Sequence, residues 1–223
     1  MNAAAGNSTL VAIVLEALAP CPHYSDACAE CAQWDPARGL IPRGYLGATA
    51  LAGPPRLVLA LPEPGEPVAG EAYSGTAPEL FEAVTARACA ALEDAPSNAA
   101  ARPYHRNLRK ILDAFWPEAT LHEQLAKTWI APAVLCSSCA PRGSVPRRME
   151  AACLRTYFRR EMESLGDVFI VALGTKARDR LERGGISPEF VAQHPSARPI
   201  TRPERSWIAS AAAFRSWLKT RTR

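Results

Sequence analysis

Short continuous apolar runs alternate along the chain with longer stretches of helical period. The run Leu57-Val-Leu-Ala-Leu61, stopped by Pro62, predicts a fully buried strand. Asp167-Val-Phe-Ile-Val-Ala-Leu173 predicts a second, and Gly174 opens a turn into a helix over 175–183. Two weaker strands are expected, one over 128–134, where Pro132 interrupts the ladder, and one at Phe190-Val-Ala-Gln193. Helices are predicted over 8–19, 76–93, 104–116, 146–165 and 203–219. Residues 20–55 read as mostly loop, 62–75 as a Gly/Pro/Glu loop and 94–103 as a linker. Apolar strands alternating with helices imply an α/β fold built on a parallel sheet. In such sheets ligands bind beyond the carboxyl ends of the strands. That places the 62–75 loop and the segment after Gln193 where a site is expected.

The chain has 223 residues, enough for one domain with a substantial core. Its net charge of +4 hides an asymmetry. Residues 142–223 carry 17 Lys+Arg against 8 Asp+Glu, whereas residues 1–141 carry 9 against 14. A basic half suits a polyanion partner, although a solvated Arg-rich surface gives the same count. The first twenty residues lack a basic start, and Glu16 interrupts their apolar run, so no secretory signal is read there. No stretch reaches the roughly 18–20 apolar residues of a membrane span. A cytoplasmic protein is expected, in which clustered thiols bind metal more often than they form disulfides.

Candidate chemistry collects in three places. The 62–75 loop holds Glu63, Glu66 and Glu71 with Tyr73. Carboxylates at a strand end can orient water or balance a developing cation, and Tyr73 can stack on a planar ligand. A solvated loop with one aromatic tucked under it explains the same residues. His194-Pro195-Ser196-Ala197-Arg198 is the second place. A histidine there can hydrogen-bond an oxygen that gains negative charge, and Ser196 and Arg198 can hold phosphate. The third is the cysteines, seven in all. Cys28-x2-Cys31 and Cys136 combine with either Cys139 or Cys153 into a tetrad. With Cys139 the spacing is C-x2-C…C-x2-C, which by itself reads as zinc. Cys21 and Cys89 read as structural.

Taken together, these pieces resemble the uracil-DNA glycosylase superfamily, closest to its iron–sulfur-containing, family 4-like branch. The likeness covers most of 28–215. Leu57–Leu61 with Pro62, then Gly70-Glu71-Ala72-Tyr73-Ser74-Gly75, resembles the first motif. His194-Pro195-Ser196 resembles the second catalytic motif, and the strand ending in Leu173-Gly174 followed by Thr175-Lys176-Ala177 resembles the family's Leu-Gly-x-x-Ala. The resemblance implies a three-layer α/β/α sandwich around a four-stranded, mainly parallel sheet, in one monomeric domain over 1–223. It implies DNA as partner and hydrolysis of the N-glycosidic bond of a flipped uracil-like or modified base. Pro62, Tyr73 and Pro132 would then bind the base, and His194 would stabilise it as it leaves. Glu66, or Glu63, would orient water or steady the sugar cation, and Ser196, Arg198 and Arg202 would grip phosphates. The metal would be a [4Fe–4S] cluster on Cys28, Cys31, Cys136 and Cys153 rather than zinc on Cys28, Cys31, Cys136 and Cys139.

The chain departs from the pattern. The family's water-positioning glutamate aligns with Ala60, and a motif glycine with Glu63. Its base-reading asparagine aligns with Pro132, which has no side-chain donor or acceptor. The spacing from Cys136 to Cys153 is one residue longer, and 94–127 resembles an insertion. A DNA-binding or lesion-sensing relative without catalysis, or a zinc-stabilised interaction module, are the alternatives these losses leave.

Overall fold

The computed structural model describes residues 3–48, 55–96, 102–137, 144–198 and 202–221. The elements are α1 (Ala3–Leu18), β1 (Leu46–Gly47), β2 (Leu57–Leu61), α2 (Ala77–Asp94), α3 (Pro103–Phe115), α4 (Leu121–Ala126) and β3 (Thr128–Pro132). They continue with α5 (Arg147–Cys153), a π-turn (Leu154–Phe158), α6 (Arg159–Leu165), β4 (Phe169–Leu173), α7 (Thr175–Arg183), β5 (Phe190–Ala192) and α8 (Glu204–Arg221). The sheet has five strands in the order β1-β3-β2-β4-β5. β2, β3, β4 and β5 are parallel, as expected. The expected strand count of four is corrected by β1, a two-residue edge strand antiparallel to β3. Two residues give no alternation to read. Gly47 is what permits that edge, since it has φ +102° and a Cβ there would lie 2.0 Å from the Thr128 carbonyl oxygen.

Every residue of β2, β3 and β4 is buried, which is why their sequences are continuous apolar runs. Alternation splits them between two cores. Val58, Ala60, Trp129, Ala131, Ile170 and Ala172 face α1, α5, α6, α7 and the N-terminal loop. Leu57, Leu59, Leu61, Ile130, Phe169 and Val171 face α3, α4 and α8. The sheet is therefore covered by helices on both sides. Phe214 of α8 gathers the second core, with the rings of Phe115, Trp116 and Phe169 at centroid distances of 5.5, 5.1 and 5.5 Å. Residues 94–127 contribute much of this layer through Leu108, Ile111, Leu112 and Phe115. The helix α4 within them was not expected. Thr120 and Glu123 start it with a reciprocal capping box, as Thr76 and Glu79 start α2.

The crossovers place β3 on one side of β2 and β4 on the other. The strand order therefore reverses around β2, and its carboxyl end is the switch point where a crevice is expected. Pro62 and Glu63 occupy that end. Among the described residues no helix is long and apolar enough to cross a membrane.

Candidate functional site

Two chemically distinct centres stand out, one beside the N-terminal loop and one at the strand ends. The first is a recess lined by four cysteines, Cys21, Cys28, Cys136 and Cys153, with Tyr24, Tyr157, His23 and apolar neighbours including Met149 and Leu135. All four are free thiols. Cys21 and Cys28 bracket a 3-10 turn over Pro22–Ser25, closed by Cys28 N–H donating to the His23 carbonyl at 2.9 Å. Cys136 follows β3, and Cys153 ends α5. The π-turn immediately after Cys153 widens the helix and presents Tyr157 to the recess. His23 fastens the loop to that turn, its Nδ1 at 3.1 Å from Asp26 and its Nε2 at 2.9 Å from Thr156 Oγ1.

Burial pushes the Cys28 thiol up to about 11 and the Cys136 thiol up to about 12, with neighbouring cysteines adding to both. Burial likewise raises Cys153. Thiolates confined together repel one another, and a cation among them reverses that cost. The donor set, four sulfurs in a mostly apolar recess with no carboxylate lining it, suits thiolate-bound metal. Among the described residues no three His, Cys, Asp or Glu side chains stand close enough to form a ready-made site for a metal ion.

Of the expected ligands, Cys28, Cys136 and Cys153 line one recess. Cys21, expected to be structural, joins them. Cys31 instead lines a neighbouring groove of about 750 Å³, between residues 29–41 and 66–72, which Cys136 also borders. Cys139 lies outside the described residues.

The second centre lies at the strand ends. Glu63 receives Lys176 on one carboxylate oxygen and Arg180 on the other. Arg180 is almost wholly buried and also donates to the Pro62 carbonyl and, at 3.1 Å, to Glu150. Arg183 completes the chain with two hydrogen bonds to Glu150, at 2.5 and 2.8 Å. Burial alone would raise the Glu150 carboxyl, but the arginines outweigh it and hold it below the usual range. Both cations acting on Glu63 come from α7, which begins at the end of β4.

His194 follows β5 and is close enough to feel the charges of both Glu63 and Lys176. Desolvation lowers its pKa below the ordinary imidazole value; Glu63 opposes the shift and Lys176 adds to it. Its Nδ1 accepts the Ser196 backbone N–H at 3.1 Å. A neutral ring held this way carries its proton on Nε2. Gly174 (φ +95°) makes room for it, because a Cβ there would sit 3.2 Å from the His194 Cβ. From α3, Asn107 donates to the Pro195 carbonyl at 2.6 Å, and the Tyr104 ring lies 6.3 Å from the imidazole centroid. Ser196, Arg198 and Arg202 are exposed. Arg202 adopts the left-handed conformation (φ 47°) just before α8.

The remaining expected residues are placed differently. Tyr73 is half-buried and donates to Glu71 at 2.7 Å, while Glu71 accepts the Val68 N–H at 2.8 Å. Glu71 is thus a structural carboxylate that folds the 62–75 loop on itself. Glu66 lines the groove beside Cys31, and His194 is not among that groove's walls. Glu63, the second choice from sequence, is the carboxylate whose charge acts on His194. Ala60 is buried within β2, and the Pro132 ring lies beside Gly44, where a Cβ would come 3.4 Å from it. Asn107, Tyr104, Arg180, Glu150 and Arg183 were not anticipated. Only the clustering of arginines on one face of α7 hinted at any of them. No protein-family model matches the chain, and a search of curated proteins returns no match.

Proposed function

We propose that the chain is a DNA glycosylase-like protein of the uracil-DNA glycosylase kind, acting as a monomer in the cytoplasm on a uracil-like or modified base flipped from DNA. The observation that carries this reading is His194, held at a strand end as a neutral ring with its proton on Nε2, beside Glu63 at the end of β2. In the reaction the C1′–N bond breaks and the base departs with the bonding electrons. The His194 Nε2–H hydrogen-bonds the base oxygen that gains charge. Glu63 faces the sugar as it becomes cationic, a water oxygen bonds to C1′, and the water's proton ends on the base or solvent. Ser196, Arg198 and Arg202, exposed beside this point, take phosphates. Tyr73 stacks the base from a ring already braced by Glu71. An iron–sulfur centre in the cysteine recess supplies no step of the hydrolysis, and its ligands tie the N-terminal loop to β3 and α5.

A second reading, DNA or lesion binding without catalysis, is favoured by the double pairing of Glu63. A carboxylate already neutralised by Lys176 and Arg180 is a poor water activator. Ala60 and Pro132 add no replacement. Single- and double-stranded oligonucleotides containing uracil, hypoxanthine or xanthine separate the two. Abasic product, lost in His194→Ala, is the expected result. Salt-sensitive binding without product establishes the second reading instead, and neither binding nor product overturns both.

A further inference from the structure

We propose that Cys21, not Cys31, is the fourth ligand of the metal centre, so that Cys21, Cys28, Cys136 and Cys153 hold an iron–sulfur cluster. The proposal rests on the iron–sulfur reading above and changes its ligand set. Cys21 lines the same recess as the other three, and Cys31 is absent from the recess lining and borders the adjacent groove. The local backbone explains the switch. The 3-10 turn after Cys21 doubles the chain back, with Tyr24 N–H donating to the Cys21 carbonyl at 3.3 Å and Cys28 N–H to His23 at 2.9 Å. Two cysteines seven positions apart therefore meet across one turn.

The surroundings of the sulfurs favour the same set. The Tyr24 hydroxyl lies 3.2 Å from the Cys136 sulfur, Leu135 N–H donates to Cys153 at 3.3 Å, and Tyr157 lines the recess together with Cys21. Two of the four sulfurs thus have a hydrogen-bonding neighbour, the kind of outer contact that orients thiolate ligands and tunes a cluster. His23 also lines the recess but is no rival ligand, because both its ring nitrogens are engaged, by Asp26 and by Thr156. The remaining wall includes Ala17, Pro42, Leu135 and Met149, which offer no hard donors.

The test uses the full-length chain, reconstituted anaerobically with ferrous iron and sulfide, as wild type, Cys21→Ala, Cys31→Ala and Cys28→Ala. Iron, acid-labile sulfide, zinc and visible absorbance are measured. The expected result is about four iron and four sulfide per wild-type chain, an iron content at least fivefold lower in Cys21→Ala and Cys28→Ala, and near wild-type iron in Cys31→Ala. Loss of iron in Cys31→Ala with retention in Cys21→Ala overturns the ligand assignment alone. Zinc without iron in the wild type overturns the iron–sulfur reading, and the assignment with it. Should both variants fail to fold, alkylation of iron-loaded wild type decides. Protection of Cys21 until the iron is stripped by oxidant and chelator supports the proposal, and labelling of Cys21 while iron remains bound overturns it.

Discussion

The guanidinium of Arg180 holds the carboxylate of Glu63 and, through the same nitrogen, the backbone carbonyl of Pro62. One buried side chain thereby fixes the turn at the end of β2, while its Nε keeps Glu150 in place. Arg180→Met removes a charge from between two carboxylates that are themselves poorly hydrated. A loss of about 3–5 kcal/mol is expected, read from the denaturant midpoint. Arg180→Lys recovers only part of it, since an ammonium cannot reproduce the planar fork that spans three acceptors. A variant as stable as wild type would show the network to be incidental.

Glu161 is buried in the first core and accepts the Trp129 Nε1–H at 3.0 Å. Burial pushes its carboxyl up to about 7, with the Trp129 hydrogen bond opposing. In the unfolded chain the same group titrates near its ordinary value of about 4.3. Between these values the unfolded chain has released a proton that the folded chain keeps, so stability falls as pH rises through that window. The total is about 2–4 kcal/mol. Glu161→Gln removes this component and keeps an acceptor for Trp129. Stability curves of the two proteins, measured by denaturant from acid to neutral pH, should diverge steadily in favour of the variant. Parallel curves would disprove the linkage.

His194→Ala should lower base excision by about 10²–10⁴-fold, the range for a positioned proton donor or oxyanion partner. Melting temperature and DNA affinity should stay close to wild type, because the ring is only half-buried. Because the lowered pKa keeps the ring neutral, the wild-type rate should be flat across neutral pH and fall only below the ordinary imidazole range. A rate that instead rises as the ring protonates would assign the work to an imidazolium.

The parallel strands were legible because each is a short apolar run between breakers, and β2 and the helix over 175–183 match their predicted bounds. The edge strand β1 was not, since pairing of two residues is decided by the partner strand. The helix α4 carried its signature in Thr120 and Glu123, within a segment regarded as an insertion. The site divides the same way. His194 and Glu63 could be picked from their strand-end positions. Their partners Arg180, Asn107 and Tyr104 come from helices elsewhere in the chain, and only packing brings them near. Spacing favoured Cys28 with Cys31, and the 3-10 turn that delivers Cys21 has no period to detect.

The cysteine recess also imposes an order on synthesis. Cys21 and Cys28 are made well before Cys136 and Cys153, which follow only after α2, α3 and α4 and the strands β2 and β3. Until then the two early thiols have none of their later neighbours, and α1, whose Leu10, Ile13 and Val14 are buried against later segments, lacks much of its packing surface. The segment around Cys21 is thus translated long before it can be secured, and its two thiols wait for the strand and helix that complete their recess.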